Sequence, residues 1–168
     1  MSNIGLPQIV VLLVALQRLI ELLIAQRNTR RLLQEGGREI GARHYPLLVL
    51  LHGAWLVTML IFIPATAPVS VPLLGAFVIL QLLRVWIVLT LGRYWTTRII
   101  TLPGAPLVRR GPYRFLRHPN YAVVIGEIAL LPLAFGAWQI AVIFSALNLI
   151  LLRHRIRIED TALAARRR

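Results

Sequence analysis

The sequence predicts an all-α integral membrane protein with five membrane helices, the last two forming a tight helical hairpin. The N-terminus is expected outside and the C-terminus in the cytoplasm. Three observations carry this expectation. The 168 residues are 58% apolar with a mean hydropathy of +0.73, a balance suited to lipid rather than water. The apolar residues fall into five runs. Arginine is confined almost entirely to alternate connections between those runs.

The first run covers residues 4–25, the second 47–63 and the third 71–91. A straight span needs roughly 20 residues at about 1.5 Å each, so the first and third suffice and the second is slightly short. The fourth and fifth, 121–135 and 137–152, are separated by little more than Gly136. Each is too short to span unless the turn near Pro132 and Gly136 sits inside the far leaflet. That makes them a hairpin with both ends on one side. The connector 64–72, PATAPVSVP, is a short Pro-rich turn. Segment 93–118 is the longest polar stretch, a length that marks a functional loop. No repeat, low-complexity tract or linker divides the chain, so residues 1–168 read as a single domain.

Arginine sets the orientation. Arg27, Arg30, Arg31, Arg38 and Arg43 follow the first run, and Arg93, Arg98, Arg109, Arg110, Arg114 and Arg117 follow the third. Arg153, Arg155, Arg157, Arg166, Arg167 and Arg168 follow the fifth, whereas the N-terminus, the 64–70 connection and the hairpin turn have none. Strict alternation places the arginine-rich connections in the cytoplasm. The net charge of +13 therefore reads as a topology signal and not as a nucleic-acid surface. The N-terminus lacks the basic region and cleavage site of a signal peptide.

Composition excludes several chemistries. All 19 basic residues are arginine, so no lysine Schiff base can form. There is no cysteine, which removes disulfides, thiolate nucleophiles and Cys-ligated metals. His44, His52, His118 and His154 show no metal-ligand spacing, so no metal site is expected. No Walker A, GxGxxG or GxSxG pattern occurs.

A few polar residues lie inside apolar runs, where a charge at a helix centre costs roughly 2.5–3.5 kcal/mol on insertion scales. Arg18 and Glu21 share a helical face and read as a satisfied pair or a snorkelling arginine. Gln81, Arg84 and Trp95 fall toward the cytoplasmic end of the third run, with packing and substrate contact both open. Glu127 reads as a hydrogen bond between helices. In the tail, Arg155 and Glu159 are four apart, followed by Asp160. Periodicity alone leaves a surface ion pair and a functional pair equally open.

Residues 111–121, GPYRFLRHPNY, are the most informative stretch. Pro119 suits the first position of a helix, with His118 at the cap. The helix start presents unpaired N–H groups and the positive dipole end, a site suited to a carboxylate or phosphate.

These pieces resemble the isoprenylcysteine carboxyl methyltransferase family of small integral-membrane enzymes. The resemblance runs through QRLIEL and AQRN (17–28), QLLRVW and LGRYWTTRII (81–100), PLVRRGPYRFLRHPNY (106–121) and RIRIED (155–160). It implies S-adenosylmethionine as cofactor, held within about residues 93–168. It also implies a membrane-embedded site facing the cytoplasm, in a bacterial plasma membrane, without a soluble nucleotide-binding fold. By the same resemblance, Tyr113, His118, Pro119, Asn120 and Tyr121 match the family's cofactor-binding tyrosine and His-Pro-x-Tyr run. Ala105, Pro106, Leu107 and Val108 match a backbone-contacting strip that begins with histidine in the eukaryotic enzymes. Thr101 falls at a family glutamine position. Glu159 matches the acid that binds the cofactor, and Arg155 the catalytic arginine beside the substrate. The family's aromatic-rich segment after this glutamate is nearly absent here. The compact length looks most like the bacterial branch that O-methylates long-chain alkylpyrones. The implied acceptor is a lipophilic small molecule or prenylated substrate drawn from membrane lipid. The alternatives are a sterol-reductase-like NADPH oxidoreductase, a phospholipid N-methyltransferase, or a non-enzymatic small transporter relaying through Arg18, Glu21 and Glu127.

Overall fold

Proline sits in the first turn of four of the five helices, where its missing N–H costs nothing and its fixed φ favours entry. In the computed structural model, which describes residues 4–164, these helices are α1 (Leu6–Gln34), α2 (Tyr45–Phe62), α3 (Val71–Leu91) and α4 (Pro119–Ala134). The fifth is α5 (Trp138–Leu163). Arg166, Arg167 and Arg168, counted in the charge pattern, lie outside the described residues.

The architecture is all-helical as expected, with one small addition in the polar connections: β1 (Arg38–Ile40) pairs antiparallel with β2 (Ile99–Thr101), in the register Arg38↔Thr101, Glu39↔Ile100, Ile40↔Ile99. The strands are too short for alternation to show in sequence. The ends of the runs also move. α1 continues nine residues past the apolar run because 26–34 contains neither glycine nor proline, and Arg31 pairs with Glu35 at 3.2 Å. It stops where Gly37 N–H bonds back to Leu32 C=O at 2.8 Å. α5 likewise continues to Leu163, carrying Arg155 and Glu159 on its polar extension.

Four helices, α1, α2, α3 and α5, are long and apolar enough to cross a membrane. α4 has 16 residues, about 24 Å, short of a ~30 Å hydrocarbon core. It is nonetheless thickly buried, with Val123, Val124, Ile128, Leu131 and Pro132 packed between α3 and α5. α4 and α5 form the hairpin that the sequence predicts. Pro132 leaves the last turn of α4 one donor short, and Gly136 (φ +73°) lets Ala137 N–H return to Pro132 C=O at 2.9 Å.

Contacts sort the connections by charge. At one end Ser70 N–H bonds Ala134 C=O at 2.8 Å, joining the arginine-free turns. At the other, the β1–β2 ladder, an Arg98–Glu39 pair at 2.8 Å and a His44–His154 edge contact join the arginine-rich segments. The main core, including Val11, Trp55, Met59, Phe77, Ile128 and Phe144, lies between these ends. The outer surfaces of α1 and α3 remain apolar and exposed, as at Leu12, Leu19, Leu23, Leu82 and Leu89.

Candidate active site

At the arginine-rich end, α4 begins as the sequence predicts. His118 stands at the N-cap, Pro119 is the first helical residue, and Tyr121 N–H bonds His118 C=O at 3.1 Å. The preceding turn, Gly111–Arg114, is seated by glycine: Gly111 has φ +56°, and a Cβ there would stand 2.6 Å from Thr90 Oγ1. This fixes Tyr113 against Ala25, Ile87, Trp95 and Val123.

Tyr121 points from the first turn of α4 to α5. Its hydroxyl accepts a hydrogen bond from Arg155 Nε at 2.8 Å and donates to Glu159 Oε2 in a very short contact. Arg155 Nη2 also donates to Thr97 C=O at 2.7 Å. The four-residue spacing of Arg155 and Glu159 therefore does not make a surface ion pair. Arg155 is only 7% exposed, and a tyrosine hydroxyl stands between the two charges. The His118 ring stacks on Tyr121 at 5.4 Å between centroids. His118 Nε2 approaches Asp160 Oδ1 at 3.1 Å, and Nδ1 lies 3.8 Å from Glu159 Oε1. Burial pushes the Tyr113 phenol up from its ordinary pKa, and the charge of Glu159 adds to the shift. Asn120 Oδ1 is buried with no hydrogen-bond partner among the described residues.

The structure thus gathers Tyr113, His118, Pro119, Asn120, Tyr121, Arg155 and Glu159 around one helix start. Thr101 is engaged elsewhere: it ends β2, pairs with Arg38, and its hydroxyl lies 3.4 Å from Arg38 C=O. Ala105, Pro106, Leu107 and Val108 form the non-helical connector from β2 to the Gly111–Arg114 turn, with Ala105 N–H bonding Leu102 C=O at 3.2 Å.

Residues missing from the sequence reading support Arg155. Thr97 supplies the carbonyl, and its hydroxyl lies 3.0 Å from Tyr45 OH. Arg98 covers the Tyr45 ring at 4.4 Å while gripping both oxygens of Glu39 at 2.8 and 2.9 Å. The Trp-Thr-Thr-Arg run at 95–98 gave no signal of this, because a backbone carbonyl has no sequence signature.

A second polar group lies within the helices. Arg84 donates through Nε to Glu127 Oε1 at 2.8 Å and makes a second, very short contact with Oε2. Arg18 pairs with Glu21 at 2.7 Å and approaches Glu127 at 2.9 Å, the latter as an ion pair outside hydrogen-bond alignment. Gln81 donates to Glu127 at 2.7 Å. Glu127 is thus the interhelical link expected of it, with charged partners on α1 and α3. Among the described residues no cluster fit for a metal ion occurs. An outward-facing cleft of about 390 Å³ between α1 and α3 has Leu16, Ile20, Val85 and Leu89 as apolar walls and Gln17, Glu21 and Gln81 as polar lining.

Comparison with known proteins agrees with the resemblance read from the motifs. The isoprenylcysteine carboxyl methyltransferase family model matches residues 73–165, which hold nearly all of α3 and the whole of β2, α4, the gathered site and α5. The uncharacterized protein YpbQ of Bacillus subtilis (strain 168) is 38% identical over 159 residues, covering 92% of this chain and 95% of its own. An uncharacterized protein of Haemophilus influenzae is 27% identical over 155 residues, covering 88% of each. No solved structure matches the chain. On the family model and the 38% identical relative, the chain belongs to the isoprenylcysteine carboxyl methyltransferase family, a membership that implies a membrane methyltransferase.

Proposed function

We propose that this protein transfers a methyl group from S-adenosylmethionine to a carboxylate or acidic hydroxyl oxygen of a lipophilic acceptor. The reaction takes place at the cytoplasmic edge of a bacterial plasma membrane. The observation that carries the reading is the buried Tyr121 hydroxyl held between Arg155 and Glu159.

The residues present fit the cofactor. It bears an ammonium, a carboxylate, a sulfonium and an adenine. Glu159 and Asp160 are acids suited to the ammonium, and the α4 start suits the carboxylate. Tyr113 and Tyr121 offer aromatic faces, and the unpaired Asn120 Oδ1 offers a buried acceptor. When bound, the cofactor supplies a methyl group on a positively charged sulfur for in-line transfer to oxygen. Arg155 then has a distinct task. Nε and Nη2 are fixed by Tyr121 and Thr97, which leaves the Nη1 edge to face an acceptor oxyanion. An oxygen already ionised near neutral pH needs no general base. Positioning and exclusion of water supply the rate. Apolar faces open to lipid support a lipophilic acceptor, and the gathered arginines support a cytoplasmic site.

Titration of the detergent-purified protein with S-adenosylhomocysteine is expected to show saturable binding. Radiolabelled methyl transfer into a total lipid extract is expected to mark a discrete lipid species. A folded protein that neither binds the product nor labels any lipid overturns the reading.

A further inference from the structure

The loop that carries Tyr113 and His118 has an exposed apolar tip between charges. Phe115 is 75% exposed and Leu116 54%, both bonding back through N–H to Pro112 C=O at 3.1 Å. Arg114 and Arg117 flank them and are exposed, as are Arg109 and Arg110. Segment 93–118 contains no acidic residue at all. A single exposed leucine on a protein surface is ordinary. A phenylalanine and a leucine side by side, held at a turn by backbone bonds and ringed by arginine, are a different case.

The depth of this tip follows from the hairpin. Trp138, 59% exposed at the start of α5, is the type of residue that sits at a membrane–water boundary. From there α5 reaches Arg153 after roughly 23 Å, and α4 is about 24 Å long, both short of a ~30 Å hydrocarbon core. Pro119 therefore starts α4 at or below the headgroup level. Phe115, four residues earlier, cannot stand far above it.

We propose that Arg114-Phe115-Leu116-Arg117 is an interfacial wedge that docks on anionic phospholipid. The two apolar side chains enter the acyl boundary, and Arg109, Arg110, Arg114 and Arg117 pair with phosphate headgroups. The charge complementarity is one-sided, since no acid in the loop competes for those arginines. Docking fixes the loop between Tyr113 and His118 against the bilayer surface. The inference does not depend on the methyltransferase chemistry and is tested without turnover.

The absence of cysteine makes the experiment direct. Full-length Phe115→Cys and Arg110→Cys proteins carry a nitroxide label in vesicles of phosphatidylcholine, with and without phosphatidylglycerol. The Phe115 label is expected to collide with dissolved oxygen several-fold more, relative to an aqueous nickel chelate, than the Arg110 label. It is also expected to lie deeper when phosphatidylglycerol is present. Aqueous exposure equal to that of the Arg110 label overturns the wedge and leaves the pair to a protein partner. Equal depth in both lipids overturns the anionic-headgroup assignment. Phe115→Trp, a conservative change at an exposed site, gives a second measure. Brominated lipid should quench its added fluorescence, and no excess quenching over the parent protein again overturns the proposal.

Discussion

Removing one oxygen tests the site at its narrowest point. In Tyr121→Phe the ring still packs, but Arg155 Nε and Glu159 Oε2 each lose a partner. A hydrogen bond to a charged group is worth about 1.5–3 kcal/mol, so methyl transfer is expected to fall roughly 10- to 150-fold. Helix content and elution profile should hold; an unchanged rate would remove Tyr121 from the chemistry. Tyr113 makes a prediction in pH. Its phenol is raised by burial and by Glu159, so the folded protein keeps it neutral above the ordinary value of 10.0. Stability arising from that burial is complete below the unfolded value and is lost as pH rises through the folded one. In alkaline titration, the phenolate signal that distinguishes the parent from Tyr113→Phe is expected only well above pH 10, together with unfolding. Ionisation at the ordinary value with the fold intact would contradict it. At this scale the sequence was informative about side chains and silent about carbonyls. The His-Pro-Asn-Tyr step and the Arg–Glu spacing were both visible, but only the resemblance joined them. Thr97, which holds Arg155 through its backbone, had no visible mark.

Helices here are tied by charges as well as by packing, and the tie belongs to α1, α3 and α4 together. Glu127 answers Arg84 and Arg18, so Glu127→Ala takes away the close partner of the buried Arg84 and leaves both arginines to share Glu21. Breaking such a pair costs about 3–5 kcal/mol, and a marked drop in the detergent thermal midpoint is expected. The double change Arg84→Met with Glu127→Leu leaves Arg18 paired with Glu21 and keeps the charge balanced. It should recover most of the loss; a double variant as unstable as Glu127→Ala would show that packing, not charge, is at stake. The contact between Tyr45 and Thr97 calls for a different readout. Tyr45→Phe deletes the contact to Thr97 Oγ1 while Arg98 stays on the ring. It is expected to lower kcat a few-fold with the thermal midpoint unchanged, because its effect passes through the Thr97 carbonyl to Arg155. Equal kcat would free the Tyr45–Thr97 contact from that role. The apolar runs were legible because burial in lipid demands a long unbroken signal. Helix ends and strands were not. Past the lipid boundary α1 continues on propensity, the Arg31–Glu35 pair and the burial of Leu32, and three-residue strands paired across some 60 positions leave no periodicity to read.

The whole molecule has a direction, because its contacts collect the arginine-rich segments at one end and the arginine-free turns at the other. Charge bias of this kind normally faces the cytoplasm. The same end holds Tyr121, Arg155 and Glu159, so orientation and function stand or fall together. A methyl donor made and kept inside the cell is of no use to a site on the outer face. The cysteine-free chain allows a clean measurement. Thr66→Cys marks the turn between α2 and α3, and Arg110→Cys marks the loop before α4; both positions are exposed. With a membrane-impermeant maleimide on intact spheroplasts, Thr66→Cys is expected to label and Arg110→Cys to stay silent until the membrane is opened. The reverse pattern would turn the molecule over and take the cofactor reading with it. Labelling of both sites in intact spheroplasts would mean that α3 does not cross, despite its 21 apolar-rich residues. Because the two sites sit on either side of a single helix, the test isolates that crossing and needs no assumption about whether α4 reaches the far surface.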